Sequence, residues 1–342
     1  MESPTEKMPY NAAELPLQIR VSVGSAIILG LLEGKLDVEP TTAYLMTYNA
    51  GKCVANCSFC PQARTSRGKA EMLSRISWPS FPINRVLKGV ETAFNEAKIG
   101  RVCIQALNYP EVFSHLVALV QAIKQHAKVP VSVSCQPSNV ENIRSLAVAG
   151  VDRVGISVDA ATERLFDEVK GSGGGGPYDW EQQFARLREA VEIFGEGNVS
   201  THLIVGLGET EEDAARVIQE SVDMSVLPAL FAFTPVRGTA LENKRQPEVA
   251  SYRRVQIARY LIVKEFARCE NMRFNFDGRI VDFGVGEEVM REVIASGEPF
   301  LTSGCPSCNR PFYNEKPSGP IYNFPRRVRF DEIASIMNEL EM

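Results

Sequence analysis

Three cysteines lie within a short stretch that reads Cys53-Val-Ala-Asn-Cys57-Ser-Phe-Cys60. Three thiolates at this CxxxCxxC spacing suit three corners of a four-iron cubane, and the fourth iron then keeps open positions for a chelating substrate group. The alternatives are a zinc site or three unrelated cysteines. Zinc normally takes a fourth Cys or His close by, and none follows before Cys103. The spacing therefore favours an iron–sulfur cluster.

An aromatic residue, Phe59, precedes the last of these cysteines, and the loop directly follows a strand predicted over 42–48. With these features the motif resembles the cluster loop of the radical S-adenosylmethionine (SAM) superfamily. The resemblance implies that Cys53, Cys57 and Cys60 hold a catalytic [4Fe–4S] cluster and that Phe59 belongs to the SAM site. It also implies that the open iron binds SAM, and that an electron from a donor such as ferredoxin yields a 5′-deoxyadenosyl radical.

The fourth predicted strand ends in Gly-Ile-Ser157-Val-Asp159. The chain here resembles radical SAM enzymes of the biotin synthase type, and the resemblance covers most of residues 40–285. It implies hydrogen bonds from Ser157 and Asp159 to the ribose and methionyl parts of SAM, and strand alternation places both side chains on one face. Alternatively, Asp159 is the N-cap of a helix predicted over 160–169. Both roles remain open.

The fifth predicted strand runs into the segment Ile-Val-Gly-Leu-Gly-Glu, which is similar to a segment that lines the adenine of SAM in biotin synthases. The residues implied in SAM binding are Ile204, Gly206, Gly208 and Glu209. The alternative is a plain strand end followed by a capping box from Thr210 to Asp213. His202 shares a strand face with Ile204, which predicts an inward-pointing core residue or substrate contact.

Biotin synthase carries a second, [2Fe–2S] cluster on three strand cysteines and an arginine. Cys103 and Cys135 match two of these cysteines, and Arg279 matches the arginine. Ser200 stands at the third cysteine position, so the resemblance breaks at one ligand. A [2Fe–2S] site of that kind is therefore not expected.

Two further cysteines follow near the end of the chain, in Gly304-Cys305-Pro-Ser-Cys308-Asn-Arg-Pro. Together with Cys103 and Cys135 they make a four-thiolate set, which suits an auxiliary [4Fe–4S] cluster, and this CPxC segment is expected to fold back over the barrel mouth. The alternative is a zinc or redox site at the CPxC, with the strand cysteines merely packed. Cys269 lies in a long helical pattern and is predicted to be a small core residue.

This terminal motif on a biotin-synthase-like chain is similar to the two-component lipoyl synthases, found mostly in archaea. The resemblance implies a sulfurtransferase that inserts sulfur at C6 or C8 of an octanoyl chain, with the auxiliary cluster as sulfur source. The implied partners are a lipoyl domain or H-protein bearing octanoyl-lysine, and a second radical SAM component. Biotin formation, a rearrangement as in methylornithine synthase, and a zinc-stabilised binding protein remain alternatives.

Short β-rich runs alternate with longer helical patterns along the chain. Strands are predicted over 42–48, 101–107, 129–135, 152–158, 199–205, 229–234 and 272–277, with a weak eighth at 299–302. Helices are predicted over 83–97, 111–127, 138–149, 180–194, 210–224 and 248–269. This alternation predicts an α/β fold, a (β/α)8 TIM-type barrel with weak closure at the eighth strand. A doubly wound open sheet is the chief alternative.

Three segments are expected around this pattern. Residues 1–40 form an N-terminal extension with an amphipathic helix over 19–34, residues 41–302 the barrel, and residues 303–342 a C-terminal extension with the CPxC and a helix near 331–340. The glycine-rich run 171–176 is predicted to be a flexible lid loop, because it lacks the Lys-Ser/Thr ending of a phosphate loop.

The composition excludes several classes of protein. A net charge of −5 without a basic stripe argues against nucleic-acid binding. No apolar run approaches the length of a membrane span, and the polar first fifteen residues lack the apolar core of a secretory signal. The sequence predicts a cytoplasmic protein that binds neither nucleic acid nor membranes.

Overall fold

The computed structural model describes residues 14–340, in which strands and helices alternate. The strands are β1 (Gln18–Val21), β2 (Thr42–Thr47), β3 (Met72–Leu73), β4 (Ile76–Ser77), β5 (Ser80–Pro82), β6 (Arg101–Gln105), β7 (Val131–Cys135), β8 (Arg153–Ile156), β9 (Val199–Val205), β10 (Val226–Ala232), β11 (Arg273–Phe274) and β12 (Ile280–Asp282). The α-helices are α1 (Val23–Ile28), α2 (Ile83–Asn95), α3 (Val112–His126), α4 (Val140–Ala149), α5 (Glu163–Val169), α6 (Trp180–Phe194), α7 (Glu211–Asp223), α8 (Val249–Val263), α9 (Glu287–Ser296) and α10 (Phe330–Glu339).

One eight-stranded sheet carries the fold, in the order β10-β9-β8-β7-β6-β2-β1-β5. Its six strands from β2 to β10 are parallel and are joined by helices, whereas β1 runs antiparallel to both β2 and β5. The predicted α/β class with a mostly parallel sheet is therefore confirmed. Among residues 14–340 no pairing joins the edge strands β10 and β5, so the sheet stays open, in keeping with the predicted weak closure.

Three predicted elements differ from the structure. The helix over 19–34 is instead strand β1 followed by the short helix α1, because the β-branched residues Ile19 and Val21 pair against β2 as fully buried strand residues. The strand over 272–277 is reduced to one arm of the small β11–β12 hairpin, outside the main sheet. The eighth strand, at 299–302, is a single bridge between Leu301 and Phe324.

The predicted helices between the sheet strands agree with the structure to within a few residues, apart from the helix over 248–269. That helix ends at Val263, and Cys269 begins a separate 3₁₀ turn, Cys269–Asn271. Cys269 is nevertheless buried, as expected of a small core residue. No helix among residues 14–340 combines the length and apolarity needed to cross a membrane.

A buried ion pair joins helices α7 and α8 beside the sheet. Arg254 on α8 donates to both carboxylate oxygens of Glu211 on α7, at 2.9 Å from Nε and 2.7 Å from Nη2. The same carboxylate accepts the backbone N–H of Ile280 in β12 at 2.8 Å. Each side chain is about nine-tenths buried, so the pair ties both helices and the hairpin together.

We expect Arg254→Met to lower the free energy of unfolding by about 3 kcal/mol, because Glu211 then remains as an unpaired buried charge. Arg216→Met is the matched control, since Arg216 pairs with Glu212 on the exposed face of the same region; its effect should stay below about 1 kcal/mol. Urea unfolding of the two variants measures both values. Equal losses would contradict the assigned role of the buried pair.

Candidate active site

One cavity, enclosed by the strands of the main sheet and the loops at their ends, is lined by seven cysteines. They are every cysteine of the described chain except Cys269. The cysteines are Cys53, Cys57, Cys60, Cys103, Cys135, Cys305 and Cys308. The first three lie in the loop that follows β2, at the C-terminal ends of the parallel strands. We call residues 53–60 the cluster loop. Active sites of parallel α/β folds form at this edge of the sheet.

Backbone hydrogen bonds hold the cluster loop against its neighbours. The N–H of Val54 donates to Asn108 O at 2.8 Å, and the N–H of Ser58 donates to Val169 O at 2.7 Å. The N–H of Asn108 in turn donates to Cys53 Sγ at 3.2 Å. These contacts place a backbone N–H donor at one of the three sulfurs and fix both ends of the cluster loop.

Lys52 precedes the cluster loop and fastens the segment that follows it. Its ammonium group donates to the carbonyl oxygens of Pro61, Ser66 and Gly68 at 2.7–2.8 Å. All three donor hydrogens of the ammonium are therefore used on backbone between positions 61 and 68. Lys52 is thus a structural clasp for the cluster loop rather than a group free to meet a substrate.

The thiols of the loop fit an iron–sulfur cluster electrostatically. Burial raises the pKa of the Cys60 thiol to about 12 and raises that of Cys57 as well, although the nearby ammonium of Lys170 partly opposes the rise at Cys57. A buried thiolate therefore needs a cation beside it, and cluster iron supplies that charge. Among residues 14–340, no group of three His, Cys, Asp or Glu side chains has a geometry that could hold a metal ion.

Ser157 and Asp159 both line the cavity, next to the cluster loop. Asp159 does not cap a helix, because α5 begins at Glu163 with Thr162 as its N-cap. Instead Asp159 Oδ2 accepts a 2.7 Å hydrogen bond from Lys170 Nζ, whose side chain is only 1% exposed. This buried ion pair, which no sequence motif predicts, fixes the carboxylate beside the cluster loop.

His202 lies deeper in the same cavity, where its Nδ1 is 2.8 Å from Ser157 Oγ. Burial lowers the pKa of His202 to about 4, so the imidazole is neutral near neutral pH. Its ring packs on Phe231, with centroids 4.8 Å apart. His202 therefore points inward as predicted and orients Ser157.

The segment from Ile204 to Glu209 divides into two parts. Ile204 lines the cavity, as does Phe59, whereas Gly206, Gly208 and Glu209 do not. The Glu209 carboxylate accepts the N–H groups of Leu207 and Gly208 at 3.0 Å, which folds the turn back on itself. The predicted capping box from Thr210 to Asp213 is present.

Glycines are required at both turn positions of that segment. Gly206 and Gly208 have φ values of 107° and 131°, a region open to glycine but rarely to other residues. A Cβ at Gly206 would also meet Pro247 at 2.7 Å. The glycine-rich run 171–176, expected to be a flexible lid, is packed as well: Asn56 Nδ2 of the cluster loop donates to Gly174 O at 2.9 Å.

The CPxC segment lies at the opposite end of the cavity from the cluster loop. Thr41 and Gly100 immediately precede β2 and β6, at the N-terminal ends of these strands. The Thr41 N–H donates to Asn309 Oδ1 at 3.0 Å, and a Cβ at Gly100 would lie 3.6 Å from Ser307 Oγ. The expectation that the CPxC folds over the barrel mouth is thus wrong: residues 303–310, here called the plug, close the bottom.

Three thiols and one guanidinium gather at this lower end. Burial raises the pKa of the Cys103 thiol. The nearby thiols of Cys305 and Cys308 raise it further, and the Arg310 guanidinium partly opposes the rise. Cys308 Sγ lies 3.4 Å from Tyr44 Oη, and Cys305 Sγ lies 3.5 Å from Ser132 Oγ. The lower end therefore offers a second sulfur-rich site.

Cys135 stands apart from these three thiols. The register of β6 and β7 pairs Cys103 with Ser132, so Cys135 lies three residues, roughly 10 Å, nearer the cluster loop. Burial alone raises the pKa of Cys135 to about 12. The structure thus brings three of the four predicted auxiliary thiols together and leaves Cys135 on the cavity wall between the two ends.

Arg310 is the residue of this end that the sequence did not single out. Its Nη2 donates to Ser303 O at 2.6 Å and its Cζ lies 3.8 Å over the Phe231 ring. Within residues 14–340 its buried Nε and Nη1 have no partner of hydrogen-bond geometry, although the guanidinium is close enough to Cys308 to oppose the rise that burial causes in the pKa of that thiol. Arg279, the position matched earlier, is exposed in the β11–β12 turn and does not line the cavity. Arg310 therefore offers positive charge to an anionic group there.

Comparisons with known proteins give a family and several relatives to which this chain is similar. A family model described as the radical SAM superfamily matches residues 50–220, half of the chain. A biotin synthase from Prochlorococcus marinus (strain MIT 9515) is 24% identical over 276 residues, 78% of this chain and 76% of that protein. A biotin synthase from Synechococcus elongatus (strain ATCC 33912 / PCC 7942 / FACHB-805) is 23% identical over 288 residues, 80% of this chain and 83% of that protein.

Two solved structures share the fold. Methylornithine synthase superposes with a TM-score of 0.51 at 15% identity, over 65% of this chain and 62% of that chain. The FeFe-hydrogenase maturase HydG from Carboxydothermus hydrogenoformans also gives 0.51 at 15% identity, over 67% of this chain and 53% of that chain. The chain thus spans less than two thirds of either protein, and at these identities the likeness extends to the fold alone.

We expect Lys52→Met to speed hydrogen exchange in the 61–68 backbone by about tenfold or more, since one hydrogen bond to a charged group contributes about 1.5–3 kcal/mol. Lys69→Met is the control, because Lys69 is exposed beside the same segment. Exchange followed by mass spectrometry of peptides from this region measures the effect. Unchanged protection in Lys52→Met would show that the ammonium does not fasten the segment.

Proposed function

The chain belongs to the radical SAM superfamily, and we propose that it inserts sulfur into an octanoyl chain carried on a lysine of a lipoyl domain or H-protein. In this proposal a second radical SAM protein completes the lipoyl group, and a donor such as ferredoxin supplies electrons. The superfamily places the protein among SAM-dependent iron–sulfur enzymes, and its relatives include biotin synthases.

One observation carries the proposal: two separate groups of thiols lie at opposite ends of one cavity. A radical SAM reaction needs only the cluster loop, so the second group requires its own explanation. Sulfur insertion supplies one, because a carbon radical formed in the cavity must meet sulfur before it reacts elsewhere, and proximity achieves this. The second [4Fe–4S] cluster is proposed on Cys103, Cys305 and Cys308, with Cys135 as the remaining thiol of the set.

The wall between the two ends suits an aliphatic chain. Apolar side chains from several strands and loops line it, among them Met46, Leu73, Val133, Ala229, Phe231 and Phe233. Unactivated C–H bonds resist acid–base chemistry, and the cluster with SAM supplies the radical chemistry that such bonds require. The apolar wall would hold the chain by burial and keep water from the reacting carbon.

Side chains near the cluster loop have proposed roles in holding SAM. The Lys170 ion pair holds the Asp159 carboxylate through Oδ2, and His202 Nδ1 lies within hydrogen-bond distance of the Ser157 hydroxyl. Ile204 and Phe59 offer apolar contact from the cavity wall. These side chains would orient SAM without altering its chemistry, as positioning groups.

Biotin formation or a methylornithine-synthase-type rearrangement is the alternative function. The observation that favours it is the guanidinium of Arg310, because two of its buried nitrogens have no partner among the described residues. A free amino acid or other small substrate with a carboxylate would satisfy both, whereas an octanoyl amide has no carboxylate. In the sulfur-insertion proposal the same guanidinium instead faces the anionic auxiliary cluster.

We expect simultaneous replacement of Cys53, Cys57 and Cys60 by Ala to abolish SAM cleavage while about four irons per chain remain, because the lower thiols are untouched. Cys269→Ala should change neither value, since Cys269 lies outside the cavity. Iron analysis and chromatography of 5′-deoxyadenosine measure the two quantities. An iron-free triple variant would mean that no second cluster exists.

The substrate is tested with an octanoylated and an 8-thiolated octanoyl peptide, each incubated with SAM and reductant. We expect a mass gain of one sulfur on one peptide from this protein alone, and a lipoyl group when a second component is present. Dethiobiotin and lysine serve as the competing substrates. SAM cleavage without any sulfur-bearing peptide, or turnover of a competing substrate, would overturn the proposal in favour of the alternatives.

A further inference from the structure

A groove of about 700 Å³ opens on the outside of the molecule at the N-terminal edge of the sheet. Its walls come from the residues before β2 and β6 and from the plug, and they include Thr41, Lys98, Gly100 and Ser307. The groove is separate from the cavity that holds SAM in the proposed function. It faces away from the cluster loop, at the opposite end of the strands.

Cys305 and Cys308 line both the groove and the inner cavity. Both residues are partly exposed, whereas Pro306 and Ser307 between them are exposed. The plug is therefore a wall one residue thick, with solvent on one side and the reaction cavity on the other. No other cysteine of the described chain lines both spaces.

We propose that this groove is the route by which inorganic sulfide from solution reaches the auxiliary cluster. The inference rests on the proposed second cluster and extends it, because a sulfur source that gives up sulfide to a product must be restored. Through the groove the restoring sulfide would not have to pass SAM or the bound substrate. In restoration, hydrosulfide fills the position that the transferred sulfide has left and gives its proton to solvent, a step that needs no oxidant or reductant. In an intact cluster, hydrosulfide instead exchanges with a bound sulfide, which leaves with the proton, so neither charge nor electron count changes.

Hydrogen bonds across the groove determine how firmly the plug is seated. Thr41 Oγ1 donates to Ser307 O, the Thr41 N–H donates to Asn309 Oδ1, and Asn309 Nδ2 donates to Glu39 O at 2.9 Å. Thr302 Oγ1 holds Asn309 O at 2.8 Å. Loosening these bonds should widen the passage, and filling the space beside Ser307 should narrow it.

The experiment exposes holoenzyme to sulfide labelled with ³⁴S, and native mass spectrometry follows label in the protein-bound clusters. We expect Gly100→Leu to slow labelling of the auxiliary cluster severalfold, because a side chain at position 100 would extend toward Ser307 and narrow the groove. The backbone of Gly100 is not in the left-handed region, so it can accept a side chain. Thr41→Val should speed labelling. Saturating SAM should leave the labelling rate unchanged, because SAM would block entry only at the cluster loop, at the other end of the cavity.

Gly286→Leu is the matched control, since a Cβ at Gly286 meets nothing within 4 Å and Gly286 lines neither the groove nor the inner cavity. Labelling at the normal rate in a fully iron-loaded Gly100→Leu protein, or labelling that SAM abolishes, would overturn the groove as a route. If the Gly100→Leu protein fails to load iron, the Thr41→Val variant provides the test. An unchanged labelling rate in Thr41→Val would equally overturn the groove as the route for sulfide. Holoenzyme with only about four irons would instead overturn the proposed function.

Discussion

A buried thiolate needs a positive charge beside it, and both ends of the cavity are built around this requirement. Burial raises the pKa of Cys57, Cys60 and Cys103, so neither end can hold its sulfurs as thiolates unaided. Lys170 stands near the upper group and Arg310 near the lower one. Each cation has a backbone carbonyl or carboxylate to hold it in place.

The direction of the parallel strands then separates the two ends. The six parallel strands of the main sheet all point toward the cluster loop. The loops at their C-terminal edge therefore meet there, and residues that precede β2 and β6 contact the plug. Between the two ends, the cavity is lined by side chains of the strands, whose successive residues point alternately to the two faces of the sheet. Two sulfur sites with an apolar space between them follow from this polarity, without any domain boundary.

The sequence was informative where chemistry leaves a local pattern. Neighbouring residues were enough to predict the cysteine loop from its spacing, the parallel sheet from the alternation of strand and helix patterns, and the Thr210–Asp213 capping box. The Lys170–Asp159 pair and the placement of Arg310 could not, because each depends on how the folded chain brings side chains together. The pair joins the two ends of α5, and Arg310, although it stands in the terminal motif, reaches Phe231 of β10. The side of the barrel on which the CPxC lies was mispredicted for the same reason: hydrogen bonds from Thr41 to residues near position 308 decide it.

The open sheet has a gap between its edge strands β10 and β5, and residues 303–313 cross this gap. Ser303 Oγ accepts the N–H of Leu230 in β10 at 2.7 Å, and the Tyr313 ring packs on Tyr44 of β2 and on Trp78 beside β5. One stretch of chain thus spans the gap between the two sheet edges. Because chains are synthesised from the N-terminus, every strand leaves the ribosome before this closing stretch. The cysteines of the cluster loop are therefore made before the strands β6 to β10, whereas the lower group of thiols assembles only after residues 303–310 have been made.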